Sequence, residues 1–447
     1  MKTNIQVIQM KKIIVVLAAV ITSFSFAQDK KWTLQECVNY ALENNISVKQ
    51  AQLSNQTNGQ NIKSAKGQFL PSLSASGGQS LSFGSNINSF TNTRSSSTTH
   101  STSIRANASQ AIFNGFRNTN LYKQSKLNLE ASELELSRIK DDISLNVVNS
   151  YLNILFNIEN LTVAQSQFSF SEKQLSRVKE LVDAGVQPRG NMLDVEATLA
   201  NDEQRVIAAE NNLALAKLTL SQLLQLPASG FDVATIEVGV PSEQLLYENS
   251  NSIFGVAVEN RSEIKVAEKN IDVAKLSTEI SKAGYYPTVS LNYNYNTLAT
   301  FSEFNKLAFS HQASGNQGHT FSLNLNIPIF SQFQNKTAVA KSKIQEESAS
   351  LNLEQAKLTL QSNIERAFTD ARAALKTYSA AQKSLSAQLL SFENAQERFN
   401  IGAMNSFDLD LARNKLVNAE ASMINSKYDF VFKSKVLDFY AGKSLID

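Results

Sequence analysis

Three histidines, one cysteine and a scatter of aspartates are what this chain of 447 residues offers for chemistry, and their spacing supplies little of it. His100, His311 and His319 stand outside any metal-ligand or acid–base spacing, in or beside polar stretches that read as loops, and are taken as solvated loop residues. A lone Cys37 excludes an intrachain disulfide and a Cys-rich metal site. Leu34-Gln35-Glu36 before it lacks the small residues of a lipid-anchor signal, so Cys37 reads as a half-buried helix residue. No nucleophile motif accompanies the many serines and aspartates. Catalytic, cofactor and metal roles therefore fall to no residue, and the chain does not read as an enzyme.

Composition points the same way. Apolar residues make up 42%, enough for a folded core, while 42 basic against 40 acidic side chains exclude a nucleic-acid-binding balance. Six Pro and 16 Gly are few for this length and favour long uninterrupted elements. At the start, Lys11-Lys12, the apolar run 13–21 and Ser25-Phe26-Ala27 have the three parts of a secretory signal, with cleavage expected after Ala27. Met10-Lys11-Lys12 makes a more usual charged start than Met1, and both initiators stay open. No later apolar run reaches 18 residues, so an exported chain of this kind enters a membrane only as strands.

The chain is written twice. Ala41, Glu43, Asn44, Lys49, Ala51, Lys66, Pro71 and Ser74 match Ala257, Glu259, Asn260, Lys265, Ala267, Lys282, Pro287 and Ser290 at an offset of 216. Ile112, Phe113, Phe116, Asn118, Ser125, Lys126, Glu180 and Gly185 match Ile329, Phe330, Phe333, Asn335, Ser342, Lys343, Glu397 and Gly402 at 217. Residues 1–27 thus precede a first copy at 28–240 and a second at 241–447. Each copy opens with a helix (33–66 and 251–282) and continues with strands (about 70–113 and 286–330). A long helix (117–184 and 334–401) and a last helix (191–226 and 406–440) complete it. The long stretches lack Pro and Gly, and at 1.5 Å per residue each is about 100 Å long, the scale of a coiled coil or long bundle. Gly185 and Gly402 fall at hairpin tips, where a left-handed residue ends a helix.

After Pro71 and Pro287 the pattern changes to period 2. Val289, Leu291, Tyr293 and Tyr295 alternate with Thr, Ser and Asn, as Phe321, Leu323, Leu325, Ile327 and Ile329 do with Ser, Asn and Pro328; Leu73, Ala75, Leu81 and Phe83, then Ile104, Ala106, Ala108 and Ile112, do so more weakly. Strands of about ten residues with one apolar and one Asn/Ser face suit a transmembrane barrel. Four strands cannot close one, whereas three copies would supply twelve. The Ser/Thr/Asn-rich stretch 84–100 and the stretch 298–319, with Phe301, Phe304 and Phe309, read as mobile loops on the far side of the membrane.

Signal, matched halves, paired strands and Gly-tipped hairpins together resemble the TolC family of outer-membrane efflux proteins over essentially the whole mature chain. The local signatures are Trp32-Thr33-Leu34, Ala41-Leu42-Glu43-Asn44-Asn45, Pro71 and Pro287 at strand entry, and the Gly-led tips. The fold class implied is mainly α with a small β part. Coiled-coil hairpins form a periplasmic α-barrel, and four strands per protomer contribute to a trimeric 12-stranded β-barrel in outer-membrane lipid. The resemblance also implies a passive gated duct for small molecules such as drugs, toxic compounds or metal ions. Its partners would be a periplasmic adaptor and an inner-membrane pump, without nucleic acid or cofactor. Adaptor docking would fall to Gly185, Gly402, Ala403, Asn405 and Ser406. The family's acidic pore gate maps onto Asp408; Asp410 stands one residue before the second acidic position, which is Leu411, and Met404 replaces the family's Arg. Asp194 is the first copy's counterpart of Asp408. Three symmetry-related Asp at a narrow mouth would concentrate negative potential and raise each other's pKa. The alternative for Asp408 and Asp194 is a helix N-terminus that favours negative charge. Other functions left open are type I protein secretion and a structural periplasmic coiled coil or adhesin.

Overall fold

The structure, a computed structural model, describes residues 31–87, 92–236, 245, 247–302 and 306–443. The proposed signal segment lies outside them. In chain order the elements are β1 (Lys31–Trp32), α1 (Leu34–Asn44), α2 (Ile46–Gly67), β2 (Ser72–Ile87), β3 (Arg94–Asn114), α3 (Arg117–Asp183) and α4 (Arg189–Leu224). They continue as β4 (Asp232–Val233), α5 (Ser250–Asn260), α6 (Ser262–Lys282), β5 (Thr288–Phe301), α7 (Phe309–Gly315), β6 (Gly318–Asn326), α8 (Gln334–Asn400) and α9 (Ser406–Tyr440). Two units are distinguished. One combines the residues up to Gln50 with Ser137–Arg261 and Leu358 onward; the other combines Ala51–Leu136 with Ser262–Lys357.

The first unit is helical. Thr33 opens α1 with a capping box: its hydroxyl accepts the Glu36 amide at 3.2 Å, and the Glu36 carboxylate accepts the Thr33 amide at 2.9 Å. The single first helix expected in each copy is broken, after Asn44 and after Asn260, at positions related by the repeat. Asn45 and Arg261 leave helical geometry with ψ of 134° and 131°. Asn45 caps the next helix through its side chain, 2.9 Å from the Ser47 amide, whereas buried Arg261 stacks 4.0 Å over the Phe439 ring. Cys37, Val38, Tyr151, Ile154, Leu220 and Leu224 form the centre of the unit's core. Cys37 is fully buried, deeper than the half-buried position expected of it. The β1 strand pairs in parallel with β4, and the Tyr151 hydroxyl donates to the Ala234 carbonyl at 2.5 Å. Burial, then the negative groups of Cys37, Asp232 and Glu36, push the Tyr151 hydroxyl up to about 12. Burial also opposes ionisation of Asp232, but hydrogen bonds from Lys217 (2.8 Å) and the Val233 amide, with the charges of Lys217 and Lys31, hold its carboxyl below the usual range.

The second unit carries an antiparallel sheet of order β2-β3-β5-β6, continuous across the two copies. Its register sorts most side chains by face, with a shift between Ala111 and Phe113, and with Gln110 beside Leu291 in the apolar row and Leu298 beside Ser103 in the polar one. Leu73 pairs with Ala108 and Ala108 with Tyr293; Tyr293 pairs with Phe321 and Leu291 with Leu323, all on one face. Ser74, Asn107, Asn294 and Thr320 make the corresponding row on the other. Leu73, Phe83, Phe321, Leu323 and Leu325 are exposed on the apolar face. The two polar stretches read as loops are largely structured: β2 runs to Ile87 and β3 starts at Arg94, and the second contains the end of β5, α7 and the start of β6. Phe301 ends β5 and Phe309 opens α7, while Phe304 lies outside the described residues. The strands of the first hairpin, 16 and 21 residues, exceed the ten expected. A Ser/Thr strand lacks the apolar half of a period-2 pattern, which is why it resembles a loop in sequence. Among the described residues no helix is long and apolar enough to cross a membrane.

The histidines also move. His100 is a β3 residue and His311 an exposed residue of α7. His319, at the start of β6, sits on the apolar face, with Nδ1 2.9 Å from the Tyr293 hydroxyl and its ring 5.1 Å from that of Tyr295. It is part of an aromatic row, not a solvated loop residue.

Candidate functional site

The hairpin tips lie in the first unit. Each long helix ends in a Schellman motif. The Gly185 amide bonds the Val182 carbonyl and the Val186 amide bonds that of Leu181; Gly402 and Ala403 repeat this onto Phe399 and Arg398. Gly185 and Gly402 have φ of +74° and +77°, with open space where a Cβ would stand. Their need is therefore conformational, not steric. Gly402→Val is expected to lower stability by about 1–2 kcal/mol, the left-handed penalty, and Gly402→Asn by less. Thermal melts of the two variants check the ranking.

The return helices begin differently. Pro188 precedes α4 without a side-chain cap, while Asn405 caps α9, its carbonyl oxygen 2.8 Å from the Asp408 amide. Ser406 is the first residue of α9, and the Asp408 side chain is exposed in its first turn. Asp194 is exposed in α4. Asp410, half-buried, behaves differently: burial raises its pKa, Asp194 and Asp202 raise it further, and Arg413 opposes them. The acidic residues of the two tips thus lie within each other's field. Pro71 and Pro287, expected at strand entry, immediately precede β2 and β5 in the second unit.

Behind the tips is a charged cluster that sequence reasoning missed. Asp202 of α4 and Arg413 of α9 form an ion pair with side chains only 3% and 6% exposed. The Ser171 hydroxyl of α3 donates to the same Asp202 oxygen. Arg413 also donates to the Gln167 carbonyl at 3.1 Å and to its side-chain oxygen at 3.3 Å, and lies over the Phe170 ring. The Gln167 amide continues to Glu420 at 3.0 Å. Three helices from both copies are thereby joined by hydrogen-bonded charge where apolar packing would otherwise be expected. The available signal was Asp202 itself, which stands one heptad after buried Val195.

The family model described as outer membrane efflux protein matches residues 37–225 and 254–443. The outer membrane protein TolC of Vibrio cholerae serotype O1 is 20% identical over 402 residues, 89% of this chain and 88% of that protein. Among solved structures, CusC superposes with a TM-score of 0.78 at 19% identity, covering 94% of this chain and 96% of its own. The open state of the MtrE outer membrane channel of Neisseria gonorrhoeae gives 0.73 at 18%, covering 92% and 89%.

Proposed function

We propose, because the chain belongs to the family of outer membrane efflux proteins, that three copies close their sheets into one twelve-stranded barrel above a shared helical conduit. The chain is an outer-membrane efflux channel, with a large periplasmic part. The observation that carries the assembly is the four-stranded sheet: apolar on one face, polar on the other, and open at both edge strands, β2 and β6. Such a sheet satisfies its edges and both faces when closed in lipid around water. Solutes pass down the conduit without covalent chemistry, driven by an inner-membrane pump through a periplasmic adaptor. The adaptor docks on the tips at Gly185, Gly402, Ala403, Asn405 and Ser406. An adhesin or periplasmic scaffold gives no role to the outward apolar row.

Asp408, Asp410 and Asp194 form the constriction, where threefold repetition of carboxylates concentrates negative potential. Protein purified from outer membranes should scatter light as close to three times the mass of the chain without its signal segment, the full chain being 49.2 kDa, and should conduct in planar bilayers with a preference for cations. Asp408→Asn lowers that preference. Because the pKa of Asp410 is raised, its protonated form is favoured in the folded protein and it gains its proton early on acidification. Cation preference therefore begins to fall at a higher pH than an unperturbed Asp would give, and Asp410→Asn moves that onset to lower pH. A monomer would overturn the barrel; unchanged conductance and cation dependence in Asp408→Asn would overturn the constriction.

A further inference from the structure

Fixed charge is almost absent from the sheet. Strands β2, β3, β5 and β6 contain no Asp, Glu or Lys, and their two arginines, Arg94 and Arg105, both belong to β3. Strand pairing sends these two to opposite faces. Arg94 opposes Ile87, on the face that carries Leu73 and Phe83. Arg105 opposes Ser76 on one side and Asn296 on the other, within the polar face. Its neighbours along β3 on that face, Ser103 and Asn107, are neutral. The histidines of the sheet, His100 and His319, pair with Leu81 and Tyr295 on the apolar face. Arg105 is therefore the one charged side chain on the polar face of the four strands. It is exposed, and among the described residues it enters no ion pair.

A guanidinium keeps its charge at any pH at which a protein works. Set in a surface of Ser and Asn, this one has no carboxylate beside it to cancel its field. The repeat limits the charge to one per chain, because the offset of 217 carries Arg105 onto Ser322 of β6, a neutral residue paired with Asn292. Three copies closed around the polar face bring three Arg105 to one level of the lumen. We propose that Arg105 is a specificity-determining residue of the duct: a threefold cationic ring in the barrel that draws anionic solutes and holds back cations. The ring works against the carboxylates of the tips. The cation preference of the whole channel is then the resultant of two fixed charges of opposite sign, one carried by the helical unit and one by the sheet. Since the guanidinium faces water, it acts through its field, and salt screens that field.

The inference rests on the barrel proposed above, and the experiment keeps the two apart. Channels of the parent and of Arg105→Gln are compared in planar bilayers under a potassium chloride gradient. Arg105→Gln should raise the potassium-to-chloride permeability ratio several-fold at about 10 mM salt, where screening extends about 30 Å. The difference should vanish at about 1 M, where screening extends about 3 Å. Arg105→Lys should keep the parent ratio, and the effect of Arg105→Gln should persist in an Asp408→Asn background. Conducting trimers with the same low-salt ratio in parent and Arg105→Gln would overturn the ring and leave the barrel. A monomeric mass would overturn both. A second measurement locates the charge. A cationic methanethiosulfonate on Arg105→Cys should return the ratio to that of the parent, and an anionic one should raise it further. Ile104→Cys, one residue away on the apolar face, should respond to neither, nor should the parent, whose Cys37 is buried. A response at Ile104→Cys with none at Arg105→Cys would put the other face in the lumen and end both readings.

Discussion

Asp202→Ala is expected to lower the stability of the helical unit by about 3–5 kcal/mol, because it leaves the Arg413 guanidinium buried without its counter-charge. Arg413→Ala should cost a similar amount by stranding Asp202. The double variant Asp202→Leu with Arg413→Met should recover much of the loss, since replacing both charges by packed apolar side chains removes the desolvation penalty along with the attraction. Heat denaturation followed by helical circular dichroism in detergent gives the comparison. If the double variant is as unstable as the singles added together, the cluster acts by packing and not by charge. Because Asp202 belongs to the first hairpin and Arg413 to the last helix, the single variants also release α9 from α3 and α4. Leak current through Asp202→Ala in planar bilayers should exceed that of the parent.

The second large effect belongs to the sheet. Leu323→Arg places a charge on the apolar face, 69% exposed in the single chain, at a cost of about 2–4 kcal/mol near the bilayer midplane. Asn324→Arg, one residue on and on the opposite face beside Ser290, points toward water and should be tolerated. The amount of folded oligomer in outer membranes should fall sharply for the first and little for the second. The reverse ranking would turn the sheet inside out and end the barrel reading.

Much of this architecture was legible because it is periodic. The long helices advertise themselves by uninterrupted strong helix formers; the structure ends them at Asp183 and Asn400, one residue short of expectation, and places α9 at the expected bounds. The second-copy strands show clean alternation in Val289, Leu291, Tyr293 and Tyr295. The first hairpin was underestimated because both rows of residues 94–103 are polar, leaving pairing with β2 and β5 as the evidence for strand. The break at Arg261 was invisible for another reason: it is held by a ring of α9, 178 residues away. The Asp202–Arg413 pair is likewise a product of helix placement, separated by 211 residues, with no local spacing to betray it. Of the acidic tip, type and order were readable, whereas the burial that sets Asp410 apart from Asp408 required the packed hairpins.

The short β1–β4 pairing has a consequence for the order of folding. Lys31 and Trp32 are among the first described residues to be synthesised, yet their strand partners, Asp232 and Val233, follow about 200 residues later. Tyr151, whose hydroxyl bridges toward both strands, also arrives before β4. The amino-terminal strand therefore waits, closing a long loop late and at an entropic cost. A chain interrupted before Val233 lacks this clasp, so the start of the protein serves as a register of whether its first copy has been completed.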